Sequence, residues 1–241
     1  MFTNKNLDEF TRRFQTVPEN IIREYCQHLF LSNLYQVKGA DRLLFKGGTA
    51  LRIVFQSPRF SEDLDFTGSL ITQPEIETIF AETLAQLEHS GIDVVLNIAK
   101  NTTGGYIGNA TLTVYEEKTE VHIEVSLRTG KPMSGKQSVI LNEYIPPYTL
   151  THLPQEEIIQ GKLDALLNRH KPRDFYDYFF LLSSGKYPMV RERSTMEQVI
   201  KLLDESRIDF RGELKEFLPA SHGLMMKDFK ATLKQKTEQF L

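Results

Sequence analysis

Residues 43–66 read LLFKGGTALRIVFQSPRFSEDLDF, and the interpretation of the chain starts from this stretch. It opens with the apolar run Leu43 to Phe45, passes through a glycine pair and continues with residues 49–55, whose spacing predicts one or two turns of helix. A second short strand is predicted from Asp63 to Phe66. The order of strand, glycine turn, helix and strand indicates α/β structure.

Two carboxylates mark the end of this stretch. Asp63 and Asp65 are two residues apart, so on a strand their side chains leave the same face about 7 Å apart. That spacing can bracket one or two divalent cations, Mg²⁺ or Mn²⁺. Upstream, Gly47 and Gly48 lack Cβ atoms, so the turn can bring backbone N–H groups close to phosphate oxygens. Each motif alone is typical of a polar strand edge or a turn, but together they predict a phosphate site beside a metal pair.

A third carboxylate is expected because two metal ions need more oxygen ligands than two side chains supply. Glu124 is the candidate, since it lies on the polar side of the sequence VHIEVS, where Val121, Ile123 and Val125 alternate as an apolar face. An ordinary solvent-facing glutamate on an edge strand fits the same pattern. The sequence alone leaves both interpretations open.

The remaining chain changes character at the proline pair 146–147. Before it, the pattern combines helices and alternating strands, with a glycine-rich hairpin loop expected within NTTGGYIGNA at 101–110. After it, every apolar run fits a helix. Before the proline pair, helices are predicted over 18–35 and 74–90, and strands around 92–98, 111–115 and 121–125. After it, helices are predicted over 154–169, 173–183, 196–203, 212–218 and 225–240. We therefore expect a mixed α/β domain over 1–147 and a helical domain over 148–241.

Composition narrows the functional classes. The chain has 29 lysines and arginines against 32 aspartates and glutamates, a formal net charge of −3, so a uniformly nucleic-acid-binding surface is excluded while a local basic patch stays open. No apolar run approaches the roughly 18 residues of a membrane helix, and the polar N-terminus lacks the centre of a signal peptide. A single cysteine, Cys26, and scattered histidines exclude the usual zinc sites, but an oxygen-bound metal stays open. We expect a cytoplasmic protein.

A second polar constellation follows in EEIIQGKLDALLNR at 156–169 and RDFYD at 173–177. Lys162 and Arg169 share a helix face, and Asp174 and Asp177 lie together on the next helix. One interpretation is a structural ion-pair network in which Arg169, Arg173 and the two aspartates link both helices. The other makes Lys162 a contact to a nucleotide triphosphate.

These motifs together carry a family resemblance. GGTALR, RFSEDLDF, VHIEVS and EEIIQGKLDALLNRHKPRDFYDYFFL resemble the AbiEii/AbiGii toxin family of nucleotidyltransferases, the toxin halves of toxin–antitoxin and phage-defence pairs. The resemblance runs from about Ile21 into the C-terminal helices. It implies a nucleotidyltransferase-type mixed sheet flanked by helices over 1–147, followed by a helical bundle over 148–241 that closes the active-site cleft.

The resemblance also implies roles for individual residues. Gly47, Gly48 and Ser61 would bind nucleotide phosphates, Asp63 and Asp65 would hold Mg²⁺, and Lys162 and Asp174 would be further catalytic residues, Lys162 also contacting the nucleotide. Asp177 is an additional candidate for the site. Glu124 matches only the generic third metal-binding carboxylate of such folds.

The implied function is Mg²⁺-dependent transfer of a nucleoside monophosphate from an NTP to an acceptor, which blocks growth or phage propagation. RNA, and the 3′ end of tRNA in particular, is the leading acceptor because some family members modify tRNA, and a cognate antitoxin protein is the expected partner. Candidate RNA contacts are Arg52, Arg59, Lys227, Lys230 and Lys234. The alternatives are NMP or phosphoryl transfer to a protein hydroxyl, and a non-catalytic nucleotide-binding module, against which the intact aspartate pair argues.

Overall fold

A computed structural model describes residues 3–114, 116–127 and 132–241, which form ten α-helices and seven β-strands. The strands are β1 (Leu43–Lys46), β2 (Leu64–Gly68), β3 (Asp93–Thr102), β4 (Gly105–Val114), β5 (Glu117–Leu127), β6 (Lys136–Ile140) and β7 (Tyr148–His152). The helices are α1 (Asn4–Phe14), α2 (Pro18–Leu34), α3 (Gly47–Ile53), α4 (Gln73–His89), α5 (Gln155–Arg169), α6 (Pro172–Ser184), α7 (Arg193–Glu205), α8 (Phe210–Leu214), α9 (Gly223–Lys227) and α10 (Phe229–Glu238). No helix in these ranges is long and apolar enough to cross a membrane.

The strands form one mixed sheet in the order β3-β4-β5-β2-β1-β7-β6. The pairs β2–β5 and β1–β7 are parallel, and the remaining pairs are antiparallel. The predicted α/β class is therefore confirmed. Strands β6 and β7 were not predicted, because each has only five residues and no long alternating pattern.

The described residues divide into two compact units. The first unit lies within Met1–Gln56 and Phe60–Pro154, and the second combines Ser57–Arg59 with Gln155–Leu241. Strand β7 lies beyond the predicted boundary at 147 and pairs with β1, so the first unit extends to Pro154. The assignment of two functional domains, 1–147 and 148–241, stays a prediction.

Aromatic packing defines the apolar face of the sheet. The ring of Phe80 on α4 lies 5.9 Å from that of Phe30 on α2 and 6.0 Å from that of Tyr106 on β4, measured between centroids. Gly108 lies under Phe80, and a Cβ added there would lie 2.7 Å from the Phe80 ring. The expected hairpin loop within 101–110 is confirmed, since a two-residue turn at 103–104 joins the antiparallel strands β3 and β4. The loop is shorter than expected, because Gly105 and Gly108 belong to β4, where Gly108 makes room for an aromatic ring of the core.

Most helices agree with the predicted periodicity, and local capping explains their limits. Helix α2 has Pro18 in its first turn, and the Thr72 and Glu75 side chains form a capping box at the start of α4. The single helix predicted over 225–240 is wrong, since the chain forms α9 and α10 with a break at Asp228, where φ is −123°. Helix α1 was not predicted.

Candidate active site

The glycine turn packs directly against one of the candidate metal ligands. Strand β1 ends at Lys46, and α3 begins at Gly47, whose φ of +84° lies in the left-handed region. A Cβ added to Gly47 would lie 2.0 Å from Oδ2 of Asp65. Glycine is thus required for two reasons, the backbone angle and the approach of the carboxylate. Gly48 follows as a buried residue of α3.

Strand register aligns three charged residues across the centre of the sheet. Asp65 on β2 is paired with Lys46 on the antiparallel strand β1 and with Glu124 on the parallel strand β5. Paired residues point to the same face, and neighbouring strands are about 4.8 Å apart, so Lys46, Asp65 and Glu124 form a charged row. The row lies opposite the apolar face, since Asp65 alternates with the buried Leu64 and Phe66.

Lys46 is the member of the row that was not among the predicted site residues. Its Nζ donates a hydrogen bond of 3.1 Å to Oγ of Ser126, two residues beyond Glu124 on β5. The only sequence signal for it was its position directly before the glycine pair. Its ammonium group lies in the same row as two carboxylates, where it offsets part of their negative charge.

Internal hydrogen bonds fix the segment that leads into β2. The buried side chain of Gln27 donates from Nε2 to the backbone oxygens of Ser61 and Glu62, at 2.9 Å each. Thr49 Oγ1 donates to the backbone oxygen of Asp63 at 2.5 Å. The Asp63 side chain itself is exposed and lines a cleft of about 410 Å³ together with residues of α2 and β5.

A divalent metal needs several oxygen ligands that converge on one point. Within the part of the chain that the structure describes, no three His, Cys, Asp or Glu side chains lie in positions that could hold a metal ion together. The chemistry of the donors nevertheless suits Mg²⁺, because Asp65 and Glu124 present carboxylate oxygens from paired positions on adjacent strands. The metal-ligand roles of Asp63, Asp65 and Glu124 stay predictions.

In the second unit, Asp177 on α6 is the centre of a buried ion-pair cluster. Its two carboxylate oxygens accept hydrogen bonds from Nε and Nη2 of Arg59, at 2.8 and 3.0 Å, and from Nζ of Lys162, at 2.8 Å. All three side chains are at least nine-tenths buried. Burial raises the pKa of Asp177, but the two cations outweigh this effect and lower it to about 2. Asp177 is therefore ionised, and its carboxylate forms an ion pair with the Lys162 ammonium group.

Asp174 has a different partner. Arg169 donates from Nε and Nη2 to its two carboxylate oxygens at 2.8 and 2.6 Å, and the backbone N–H of Lys171 donates to Oδ2 at 3.2 Å. This carboxylate thus caps α6 while it joins α5 to α6. The ion-pair interpretation is correct for Arg169 with Asp174. It is wrong for Arg173, which forms no ion pair with any described residue and whose buried Nε has no hydrogen-bond partner among them. The site roles of Lys162 and Asp174 stay predictions.

Four of the five basic residues expected to contact RNA have internal partners. Arg52 pairs with Glu24 at 2.5 Å, Arg59 pairs with Asp177, Lys230 donates to the backbone oxygen of Ser206 at 3.0 Å, and Lys234 pairs with Asp204 at 2.7 Å. Arg52 also lies over the ring of Phe60, 4.0 Å from its centroid. The structure therefore uses these cations to hold its own elements together.

Two solved structures have a fold similar to that of this chain. JHP933 from Helicobacter pylori has 20% sequence identity to this chain, with a TM-score of 0.61 and coverage of 93% of both chains. MenT4, a nucleotidyltransferase toxin from Mycobacterium tuberculosis, has 20% identity and a TM-score of 0.58, with coverage of 92% of this chain and 84% of its own. No curated protein matches the sequence.

A family model accounts for nearly the whole chain. The model described as "Nucleotidyl transferase AbiEii toxin, Type IV TA system" matches residues 29–240. The match includes the glycine turn, the charged row, the Asp177 cluster and all helices of the second unit. The resemblance seen in the motifs is thereby confirmed. The chain belongs to the AbiEii family of nucleotidyl transferase toxins from type IV toxin–antitoxin systems, and it is a nucleotidyltransferase.

Proposed function

We propose that this nucleotidyltransferase transfers a nucleoside monophosphate from an NTP to RNA in a Mg²⁺-dependent reaction in the cytoplasm, with the 3′ end of tRNA as the leading acceptor. Transfer would block growth or phage propagation until a cognate antitoxin relieves it. The observation that carries the proposal is the contact between the Gly47 turn and Asp65 within the charged row. Phosphate-binding backbone and metal-binding carboxylates then act on the same nucleotide.

Each residue of this site has a role that its position supports. The backbone N–H groups at Gly47 and Gly48 would bind phosphate oxygens, and the Lys46 ammonium would offset their charge. Asp65 and Glu124, with Asp63, would hold Mg²⁺, which when bound neutralises developing charge on the phosphate and activates the acceptor hydroxyl. Gln27 and Thr49 would act as positioning residues, because they fix the backbone that presents Ser61 and Asp63.

In the second unit, Lys162 is proposed to contact the nucleotide and Asp174 to be a further catalytic residue. The present partner of Lys162 sets a condition on this role. Its Nζ is 2.8 Å from Asp177, so it would bind a phosphate either by sharing its three donors or by leaving the carboxylate. Arg59 binds both oxygens of Asp177 and would keep it paired in either case.

Transfer to a protein hydroxyl is the second candidate. It is favoured by the internal partners of Arg52, Arg59, Lys230 and Lys234, because an RNA backbone would have to compete for these cations. The choice of RNA rests on the family resemblance. The two acceptors are best separated by experiment.

The test is incubation of the purified chain with each of the four NTPs, labelled at the α-phosphate, with Mg²⁺ and either total RNA or total protein. We expect label on RNA, loss of labelling when EDTA is added, and recovery with excess Mg²⁺. Asp65→Asn and Glu124→Gln should each reduce the rate at least about 100-fold, since each removes a charge at the reacting phosphate. Glu82→Gln is the matched control, because Glu82 is an exposed carboxylate on α4 outside the row.

Three results would contradict parts of the proposed function. Absence of label from the α-phosphate, together with transfer of label in a parallel reaction with NTPs labelled at the γ-phosphate, would replace nucleotidyl transfer by phosphoryl transfer. Label on protein but not on RNA would establish the second candidate. Full activity of folded Asp65→Asn and Glu124→Gln would remove both carboxylates from the mechanism.

A further inference from the structure

Strand β3 forms an open edge of the sheet with an unusual surface. It is ten residues long, about 33 Å at the usual rise, and it stands first in the strand order. Val95, Leu96 and Ile98 are 59%, 52% and 42% exposed. No other strand of the described chain pairs with its outer side. Long apolar edges of this kind are open to pairing with another strand through their free backbone groups.

A bulge determines which face each side chain of β3 occupies. Val95 is paired with Thr111 and Ile98 with Asn109 on β4, and the register shifts between Leu96 and Ile98. Thr111 and Asn109 are two residues apart and share a face, so Val95 and Ile98 share it as well. The same register places Asp93 and Lys100 on that face and Val94, Leu96 and Ala99 on the other.

We propose that two copies of this chain form a two-fold symmetric dimer by pairing their β3 edges antiparallel to each other, with the axis through Leu96. The bulged pair Asn97-Ile98 counts as one position in this register. Val95 then faces Ile98 of the second copy, Val94 faces Ala99, and Leu96 faces its own equivalent. Both sheets continue into one sheet of fourteen strands, twice the seven of a single chain.

Charge complementarity selects a second copy as the occupant. Asp93 and Lys100 form no ion pair with any described residue of their own chain, and in this register each Asp93 faces Lys100 of the other copy. An isolated lysine on an edge strand would repel a partner strand, but here it meets an opposite charge at both ends of the interface. The amide of Asn97 is bonded within its own sheet, to Asn109 and Thr111 at 2.7 and 2.8 Å, so the bulge is fixed before pairing.

Sedimentation velocity of the full chain from about 1 μM to about 1 mM tests the proposal, with a concentration-dependent monomer–dimer equilibrium as the expected result. Leu96→Lys should raise the dimer dissociation constant roughly tenfold or more, because it sets two ammonium groups face to face. Val139→Lys on β6 is the matched control, since Val139 is 64% exposed on the opposite edge strand. It should leave the dissociation constant unchanged.

Charge exchange tests the register independently of apolar contacts. Asp93→Lys and Lys100→Asp should each weaken the dimer roughly tenfold, and the double variant should restore it, because opposite charges face each other again. Melting curves establish that each variant folds. A monomer at every concentration, dissociation by Val139→Lys but not by Leu96→Lys, or a double variant as weak as the single ones would overturn the proposal.

Discussion

Gly47 and Gly91 have the same backbone conformation but lie in different surroundings. Their φ angles are +84° and +85°, but a Cβ at Gly91 meets no atom within 4 Å, whereas one at Gly47 meets Asp65. Gly91→Ala should therefore cost about 1 kcal/mol of unfolding free energy, the strain of a left-handed residue. Gly47→Ala should cost clearly more and abolish transfer, because the turn or the carboxylate must move. Urea unfolding and the labelling assay measure both, and equal losses in the two variants would contradict the tight contact.

His28 makes the stability of the first unit depend on pH. It is buried with Nδ1 2.8 Å from the Tyr148 hydroxyl, and burial lowers its pKa to about 4, although Glu24 acts in the opposite direction. The unfolded chain, with a pKa near 6.5, binds the proton more readily, so the stabilisation is complete above about pH 6.5 and is lost as pH falls towards 4. Wild type should lose up to about 3 kcal/mol more than His28→Gln over this range. Parallel stability curves for both proteins would contradict the assignment.

At the scale of elements, Asp177 decides how α6 is held in the second unit. Asp177→Asn would leave Arg59 and Lys162 buried with an unpaired charge, so we expect a loss of about 3–5 kcal/mol of unfolding free energy. Asp164→Asn, at an exposed site on α5, should change it by less than about 0.5 kcal/mol. The folded-state pKa lies below the ordinary value, so this stabilisation is present above about pH 4 and falls as pH approaches 2. Chemical denaturation above about pH 4 and near pH 2 measures this loss of stability. Equal stability of the Asp177→Asn and Asp164→Asn variants would contradict a stabilising role of the cluster.

Substitutions of Lys162 can distinguish a structural role of this residue on α5 from a catalytic one. Lys162→Ala should weaken NTP binding, slow transfer and reduce stability, because it removes a cation that the structure pairs with Asp177. Lys162→Arg should restore the rate only in part, since a planar guanidinium does not replace a point charge. Titration with a labelled NTP and melting of the same samples separate the effects. Reduced stability with unchanged NTP affinity would assign Lys162 to the fold alone.

At the scale of the whole molecule, a chain of net charge −3 binds RNA only through a local positive surface. Affinity for single-stranded RNA should then fall with salt, by about 0.7 in log–log slope for each phosphate contacted. NTP affinity should change less, because fewer phosphates and a metal-binding site are involved. Filter binding over a range of salt concentrations measures both slopes. RNA affinity that is independent of salt would favour the protein acceptor.

Much of the fold could be predicted from local pattern. Helices α2, α4, α5 and α6 agree with their apolar periodicity to within a residue or two, and the strand before the glycine pair was correctly placed. The pattern failed for β6, β7 and the start of β4, where pairing partners and a ring against Gly108 set the conformation. Such contacts join distant residues and leave little mark on a short window of sequence.

The candidate site, like the fold, could be predicted from the sequence only in part. The sequence by itself determined the family, the element order around the glycine turn and the carboxylates available, because motifs and periodicity depend on near neighbours. Only the tertiary structure decided that Lys46 and Glu124 flank Asp65, that Gly47 contacts it, and that Asp177 takes both Arg59 and Lys162. Strand register and buried ion pairs unite residues as far apart as Arg59 and Asp177, 118 positions along the chain. The energy of such pairs depends on burial and distance, which arise only when the chain has folded.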